Sequence, residues 1–207
     1  FDIAGPAGIT VTDLLQFGPD ATYSAVAGTV LSMRGADFVN QLSDGAAVTG
    51  LNNTELLFDA DPGVVTSLEV AGEDTGSEEG FDTPYRVAAL TLGGLVGPAH
   101  VRLVDDFDNV GMGPEAMYVQ KLSLAAGSVL DLNGLNLYYK GGHVDPGATV
   151  MANGGELIWI SAPLWCGPPG VPESWTDAAN WDPMVPDVIA RARVANGGIA
   201  VIGAGES

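Results

Sequence analysis

The chain consists largely of short runs in which apolar and polar residues alternate, and each run is closed by Gly, Asn, Asp or Pro. Alternation with a period of two places every second side chain on one face of a strand, whereas a helix needs apolar residues at i, i+3, i+4 and i+7. The helical spacing is nearly absent, and the best helical candidate is the short run from Ala36 to Leu42. The sequence therefore predicts an all-β fold with little helix.

The predicted strands are short and rich in Val and Leu. They are Ile9–Val11, Thr29–Met33, Thr54–Phe58, Ser67–Val70, Val87–Leu92, His100–Val104, Ala116–Leu124, Val129–Leu137, Ala148–Met151, Glu156–Ile160 and Ala190–Val194. Inside the segment from Val129 to Leu137 lies Asn133-Gly134, a pair that favours a tight turn with positive φ. That segment is therefore predicted to be a strand, a turn and a second strand.

Internal matches bear on the choice between all-β architectures. VAALTL (87–92) matches VQKLSL (119–124), and each is followed by a glycine-bearing corner and a second strand, VRL or VLDL; ATVMANGGELI (148–158) resembles ARVANGGIAVI (192–202). Stacked copies of such a unit would form an irregular parallel β-solenoid, also called a β-helix. Because the spacing of the matches is not constant, a β-sandwich with Asn133-Gly134 in a hairpin is the alternative.

The charge balance restricts the partners. Against 26 Asp and Glu stand only 7 Lys and Arg, for a formal net charge of -19. Such a chain repels polyanions, which excludes nucleic acid as a partner, and it suits surroundings rich in salt or divalent cations. Since no apolar run reaches 18 residues, no membrane-spanning helix is predicted.

The ends of the chain carry further expectations. The chain begins with Phe1 and lacks a basic and then apolar leader, so it is expected to be part of a longer precursor. Residues 1–160 are predicted to form the β-solenoid body, and residues 161–207 a Trp/Pro-rich junction followed by the start of a further β repeat. The tryptophans fall in the last quarter; Trp175 and Trp181 are candidates for a platform that stacks on sugar rings, although packing at a junction is the commoner role of such residues.

A short acidic run, VDDFDN, supplies the candidate metal site. Asp105, Asp106, Asp108 and Asn109 offer the oxygen ligands that calcium prefers, although neither the EF-hand spacing nor a glycine-aspartate nonapeptide repeat is present. Side-chain turns at a corner of the fold are the competing interpretation. The second acidic run, AGEDTGSEEG with Glu73, Asp74, Glu78 and Glu79, is predicted to be a solvated excursion. No cofactor other than calcium is predicted.

No catalytic machinery is predicted. Paired carboxylates arise by chance among so many acids, while a polysaccharide lyase also needs clustered cations, and here Lys and Arg are scattered. His100, His143 and Cys166 lack partners at metal-ligand spacing, and neither a Gly-x-Ser-x-Gly motif nor a phosphate-binding loop is present. The sequence thus predicts a protein that is not an enzyme.

Several segments carry a resemblance to a known group of proteins. In order along the chain they are MRGADFVNQ, LNNTELLFD, EVAGEDTG, RLVDDFDN and EAMYVQKLSLAAGSVLDLNGLNLYYKGG. Over residues 10–160 or so the chain resembles extracellular bacterial proteins that use the PEP-CTERM (exosortase) sorting system, in a style related to autotransporter passenger repeats. ESWTDAANWDPMVPDVIARARVANGGIAVIG resembles the Trp modules that open solenoid repeats in the same large proteins. The resemblance implies a bacterial, surface-exposed parallel β-solenoid and supplies no catalytic residues.

Together these observations predict a structural protein of the cell surface or extracellular space. Unpaired strands at the ends of a solenoid would pair with further copies of the chain, giving a homo-oligomer or filament. The predicted interface residues are Phe1, Ile3, Ile9, Val11, Val194, Ile199 and Val201. A carbohydrate-binding or adhesive module with glycan partners is the alternative, and a polysaccharide lyase or hydrolase is the least favoured.

Overall fold

The computed structural model describes residues 2–59, 63–111 and 113–160 and the strand segments 164–165, 172–174, 181–182 and 199–201. The chain divides into two compact units, Phe1–Trp159 and Ile160–Ser207. Among the described residues the only helical elements are the 3-10 helices Gly45–Ala47, Leu51–Asn53 and Glu78–Asp82. No helix in these described ranges is long and apolar enough to cross a membrane.

The first unit is made of short strands. They are β1 (Asp2–Ile3), β2 (Gly8–Val11), β3 (Leu14–Phe17), β4 (Ser24–Ala25), β5 (Thr29–Met33), β6 (Asp37–Asn40), β7 (Thr54–Phe58), β8 (Val65–Glu69), β9 (Gly72–Glu73), β10 (Val87–Leu92), β11 (His100–Val104), β12 (Glu115–Leu124), β13 (Val129–Asp131), β14 (Asn136–Tyr139), β15 (Gly142–Val144), β16 (Thr149–Met151) and β17 (Leu157–Trp159). The all-β prediction is confirmed.

Most of these strands belong to two sheets, and the chain alternates between them. Sheet 1 has the order β17-β14-β12-β10-β7-β5-β2, and sheet 2 has the order β16-β13-β11-β8-β6-β3. Neighbouring strands along both paths run parallel, as β5 does to β7 and β6 to β8. Parallel neighbours cannot be joined by a tight hairpin, so each connection passes through a strand of the other sheet.

The turn at Asn133-Gly134 joins two strands that belong to different sheets. Asn133 has φ of 50° and Gly134 has φ of 87°, as a tight turn requires. Strand, turn and strand are therefore confirmed, but the flanking strands β13 and β14 lie in different sheets. The hairpin expected for the sandwich alternative is wrong, because the turn carries the chain from sheet 2 to sheet 1.

The internal match VAALTL/VQKLSL corresponds to neighbouring strands in register. β10 and β12 pair in parallel, with Val87 opposite Val119 and Leu92 opposite Leu124. The strands that follow them also pair, with Val101 opposite Leu130. Sequence similarity between the two segments therefore reflects equivalent positions in the same stack of strands.

The core consists of columns of apolar side chains that run across sheet 1. In one column Leu31 lies opposite Leu56, Leu56 opposite Leu90 and Leu90 opposite Leu122. All of these leucines are 0% exposed. Cross-strand pairs of this kind are the unit of stabilisation in a sheet. The strands at the beginning of the column are less covered, and Ile9, opposite Leu31, is half-buried.

Some local predictions are corrected by the structure. The predicted helix from Ala36 to Leu42 is wrong, because Asp37–Asn40 forms β6 and pairs with β3. Phe38 and Asn40 are buried on one face of β6, and this pairing outweighs the weak helical pattern. The strand β3 was not expected, since LLQF lacks clear alternation. The predicted strand Ala190–Val194 lies outside the described residues.

The second unit is described through two strand pairs. β18 (Leu164–Trp165) runs antiparallel to β20 (Trp181–Asp182), and β19 (Pro172–Ser174) runs parallel to β21 (Ile199–Val201). Residues 192–198 of the second internal match lie outside the described residues, as do Trp175 and Cys166.

Candidate functional site

Strands β2 and β3 form one end of the two sheets, and they define what we call the open end. The carbonyls of Ala7 and Val11 accept hydrogen bonds, at 2.8 Å each, from the N–H of Val30 on β5 and of Arg34 directly after β5. Because the backbone groups of successive residues point to opposite sides of a strand, the N–H and C=O of Thr10 point away from β5. Among the described strands none pairs with this outer side of β2.

The same alternation applies to β3. Asp13 and Phe17 accept hydrogen bonds from Asp37 and Gln41 on the side of β6. The backbone groups of Leu14 and Gln16 consequently point outward. The open end therefore presents unpaired polar backbone groups from both sheets, at least with respect to the described part of the chain.

The predicted interface residues take different places. Ile9 and Val11 are half-buried on β2 at the open end, beside Leu14, which is 47% exposed. Ile3 is buried in the core of the first unit and its strand pairs with β4, so its side chain is not available to a partner. Phe1 and Val194 lie outside the described residues. Ile199 and Val201 belong to β21, whose backbone pairs with β19.

The opposite ends of the sheets are β16 and β17. Here Val150 and Leu157 are half-buried and Met151 is 40% exposed, whereas the central leucines of sheet 1 are fully buried. The apolar core thus loses its cover at the first and the last strands of the stack. Partly exposed apolar residues at such positions are typical of surfaces that contact another element or molecule.

The predicted calcium ligands lie in the corner after β11, residues 105–110, which we call the acidic corner. Asp105, Asp106 and Asp108 are exposed, but Asn109 is 2% exposed and its Nδ2 donates to the carbonyls of Asn40 at 3.0 Å and Leu42 at 2.8 Å. In the described part of the chain no group of three or more His, Cys, Asp or Glu is arranged to hold a metal ion. A calcium site at this corner stays a prediction.

Two glutamates that the sequence reasoning missed hold the acidic corner. Glu69 Oε1 accepts from the N–H of Asp106 at 2.8 Å and of Phe107 at 2.9 Å. Glu115 Oε1 accepts from the N–H of Asn109 at 2.6 Å and of Val110 at 3.1 Å. The sequence feature that could have identified them is a single acid at the end of an otherwise apolar strand. Glu69 lies in SLEV, and Glu115 lies in PEAMYV.

Both glutamates are 2% exposed, and burial raises the pKa of each to about 7. The hydrogen bonds from the corner lower these pKa values in part, while the charges of neighbouring aspartates raise them further. Glu69 Oε2 and Glu115 Oε2 are buried without a hydrogen-bond partner in the described structure. These carboxyls therefore hold protons at a much higher pH than ordinary glutamates.

The second acidic segment, residues 72–79, is not a free excursion as predicted. β9 pairs antiparallel with the start of β12. Asp74 accepts from Tyr138 Oη at 2.7 Å and from Asn136 Nδ2 at 2.8 Å, and Lys140 Nζ lies 2.9 Å from Glu78 Oε1. The segment is folded back onto sheet 1, because its carboxylates meet donors on β14 and at Lys140.

Two tyrosines on neighbouring strands of sheet 1 stack on each other. The rings of Tyr118 and Tyr138, which are opposite each other on β12 and β14, lie 4.9 Å apart at 9°. Thr75 donates its backbone N–H to Tyr118 Oη at 3.0 Å. Burial, and then the hydrogen bond to Asp74, raise the pKa of Tyr138. The stack therefore links the folded-back segment to sheet 1.

Asp131, which is 1% exposed, links the end of β13 to β11 and to the corners that follow β13 and β16. Its carboxylate accepts from Arg102 Nε at 2.9 Å, Asn153 Nδ2 at 2.7 Å and the N–H of Asn133 at 3.0 Å. Burial alone would raise the pKa of Asp131, but these hydrogen bonds outweigh burial and hold the pKa below its usual value of 3.8.

Replacing Asp131 by Asn is expected to lower the free energy of unfolding at neutral pH by about 1–3 kcal/mol, because a charged acceptor is lost. Since the folded-state pKa is depressed, the stabilisation is present above pH 3.8 and is lost as the pH falls through the folded-state value. The difference in the free energy of unfolding between wild type and D131N should therefore become smaller in acid. Urea unfolding at several pH values measures this, and a gap independent of pH would contradict it.

Other candidate residues are dispersed. His100 is half-buried with Nε2 unpartnered in the described structure, and His143 is exposed on β15. A cleft of about 440 Å³ lies beside the 3-10 helix Gly45–Ala47 and is lined by Asn52, Asp82, Thr83 and Arg86, among others. Of the sugar-platform candidates, Trp175 lies outside the described residues and Trp181 belongs to β20. Within the described residues, His100 on β11, His143 on β15 and the residues that line this cleft thus belong to different elements.

No protein-family model, no curated protein and no solved structure matches this chain.

Proposed function

We propose that the first unit is a β-solenoid and that the protein is a structural subunit of an extracellular assembly, joined end to end through its terminal strands. The observation that carries the proposal is the combination of stacked parallel strands with partly apolar strands at the open end, whose outer edges pair with none of the described strands.

The solenoid rests on the alternation between sheets. Leaving sheet 1, the chain contributes one strand to sheet 2 and returns to pair in parallel with the strand it left, as in β5, β6 and β7. Repeating this path stacks one layer on the next, so a layer buries its apolar residues only against its neighbours. The leucine column across sheet 1 is the expected result of such stacking.

End-to-end association is proposed because the strands at the open end have outward backbone groups without a partner among the described strands. A strand with free N–H and C=O groups on its outer side is a template for another strand. At the open end these groups lie beside Ile9 and Val11, which are only half-buried. A second copy that added its terminal strands there would pair the backbone groups and cover the apolar residues. Head-to-tail contacts of this type give a filament when the rotation between copies does not close a ring.

The location is proposed from composition and resemblance together. A net charge of -19 keeps single copies apart at low ionic strength, and salt outside the cell would screen this repulsion. Resemblance to PEP-CTERM-sorted surface proteins supports a bacterial extracellular setting. The charge argument also favours association at high salt over association at low salt.

Replacing Thr10 by Pro is expected to abolish assembly of the chain. The N–H of Thr10 points away from β5, so Pro removes the outward donor without removing a hydrogen bond of the β2–β5 pair. We expect wild type to form larger particles with rising concentration and salt, and T10P to stay monomeric. Light scattering gives the mass, and electron microscopy shows whether the particles are fibres with a regular axial repeat.

The matched control is Thr10→Val, which keeps the N–H, the strand propensity and the exposed position. T10V should assemble like wild type. Circular dichroism checks that T10P retains the strand content of wild type. If wild type stays monomeric at high protein concentration and high salt, the assembly proposal is wrong. Glycan binding would then be the function to test next.

A further inference from the structure

Two irregular connections of the first unit line the cleft of about 440 Å³, which we call the Arg86 cleft. They are residues 41–53, between β6 and β7, and residues 74–86, between β9 and β10, and the three described 3-10 helices lie in them. Tyr85 Oη donates to the carbonyl of Leu42 at 3.1 Å and joins the two connections. The cleft therefore has fixed walls, and its volume lies within the range that is typical of small-molecule sites.

Arg86 is the one basic residue among the described residues that line the cleft. Arg102 and Lys140 each lie 2.9 Å from a carboxylate oxygen, whereas Arg86 forms no ion pair within the described structure. A guanidinium has five N–H donors, but the Arg86 side chain meets one described acceptor, the carbonyl of Phe81 at 2.7 Å from Nη1. Its Nε is buried without a partner there. Because unmatched donors in such a place are costly, Arg86 is suited to an acceptor supplied by a ligand.

An acid lines the same cleft without neutralising this arginine. Asp82 is exposed, and among the described residues no ion pair joins it to Arg86. The cleft therefore presents its positive and its negative group separately. A ligand that contacts both groups must offer acceptors to Arg86 and donors to Asp82.

The rest of the lining is neutral and mostly polar. Thr49 and Asn52 are exposed, and their side chains make no hydrogen bond within the described part of the chain. The Thr83 hydroxyl donates to the carbonyl of Gly80 at 2.9 Å, which leaves its oxygen able to accept. Phe81, which is 1% exposed, adds apolar surface. Hydroxyl and amide groups beside an aromatic residue suit a ligand that carries several hydroxyl groups on an apolar ring.

The combination of groups narrows the class of ligand. A small inorganic anion would match Arg86 but would be repelled by Asp82, and it has no hydroxyl groups to offer. A neutral sugar would leave the charge of Arg86 unmatched. A polyanion would be repelled by the whole chain, whose net charge is -19. A sugar that carries one carboxylate matches the cation, the acid and the neutral polar groups together.

We propose that the Arg86 cleft binds a single acidic sugar of the hexuronate class. The carboxylate of the sugar accepts from Arg86, and its hydroxyl groups donate to Asp82 and exchange hydrogen bonds with Asn52. Hydrogen bonds between a guanidinium and a carboxylate are among the strong ones, so the carboxylate sets the orientation of the ring. The inference does not depend on end-to-end assembly, because none of the described lining residues belongs to β2 or β3.

Ligand-observed saturation-transfer NMR on the full chain tests the site, since it needs little protein and works for single copies and for assembled particles. The probes are sodium glucuronate and sodium galacturonate, with glucose and sodium acetate as controls at constant ionic strength. At least one uronate should bind saturably and at least about tenfold more tightly than either control. A neutral xylo-oligosaccharide with one glucuronate branch distinguishes the two sources of such a sugar. Tighter binding than the free uronate identifies the ligand as one residue of a glycan, and weaker binding identifies it as a free monosaccharide.

Matched variants assign the binding to this cleft. Arg86→Gln should weaken uronate binding at least about tenfold, whereas Arg34→Gln, which removes the same charge at an exposed position outside the lining, should bind like wild type. Arg86→Lys keeps the charge but loses the planar donor pair, so its affinity should lie between those of wild type and R86Q. Circular dichroism checks that each variant keeps the strand content of wild type.

Three results would overturn the proposal: no saturable binding of either uronate by wild type, glucose or acetate binding as tightly as the uronates, or an equal loss in R34Q and R86Q. If R86Q does not fold, Asn52→Ala decides. Asn52 is exposed and makes no side-chain hydrogen bond within the described structure, so N52A should fold like wild type and bind the uronate at least about threefold more weakly. Full affinity in N52A would then show that the sugar binds elsewhere.

Discussion

Replacing Leu90 by Ala is expected to lower the free energy of unfolding by about 3–5 kcal/mol. Leu90 is 0% exposed in the middle of the leucine column, with Leu56 on one side and Leu122 on the other. Truncation removes buried methyl groups and leaves a cavity that the structure cannot easily close, because hydrogen bonds of sheet 1 hold β10 between β7 and β12. Urea unfolding followed by circular dichroism measures the loss.

Leu95→Ala is the matched control for this prediction. The chemical change is identical, but Leu95 is 102% exposed, so its truncation should change the free energy of unfolding by less than about 0.5 kcal/mol. If L90A cost no more than L95A, sheet 1 would not contain the continuous apolar column on which the solenoid proposal rests.

The second large effect is expected from Gly80→Ala in the 3-10 helix Glu78–Asp82. A methyl group built on Gly80 would overlap the ring of Tyr118, which is 1% exposed and stacked on Tyr138. Either the ring or the helix must move, and both are held by surrounding contacts. We expect a loss of at least about 2–3 kcal/mol in the free energy of unfolding, together with higher exchange at the amide of Thr75.

Two variants test the cause of this loss. Gly18→Ala adds the same methyl group where nothing lies within 4 Å, and it should be close to neutral. Combining G80A with Tyr118→Leu removes the ring that the methyl group would meet. The double variant should then lose less than the sum of the single losses. Strictly additive losses would show that the overlap is not the reason for the effect.

Local sequence pattern predicts the bounds of several strands and, through the match between VAALTL and VQKLSL, one strand pairing. Strands β5, β7, β10 and β11 have the predicted bounds, because period-two alternation and closing turn residues are properties of a few consecutive residues. The match also anticipates the pairing of β10 with β12, since stacked layers place similar residues at equivalent positions. Segments without a clear strand pattern, such as β3 and β6, gain their strand form from pairing, β3 with β6 and β6 with both β3 and β8.

The candidate sites were harder to predict. A run of oxygen-bearing side chains led to the predicted calcium site at Asp105, Asp106, Asp108 and Asn109. In the structure, however, Asn109 is buried and donates to the carbonyl of Asn40. The groups that hold this corner, Glu69 and Glu115, are single acids in otherwise apolar strands. Glu69 reaches the N–H groups of Asp106 and Phe107, which are 37 and 38 residues away in the chain. No local pattern reports a contact over such a separation.

The sequence by itself determined the all-β class, the positions of most strands, the tight turn at Asn133-Gly134 and the strong negative charge. All of these depend on residue type and on neighbours within a few positions. Tertiary structure decided that β13 and β14 belong to different sheets, that the strands pair in parallel, as the predicted solenoid requires and the sandwich alternative does not, and that buried acids fasten the corners. Most of these features arise from contacts between segments distant in the chain, such as Glu69 and Asp106 at a separation of 37 residues, where hydrogen bonding and burial, and not local propensity, set the free energy.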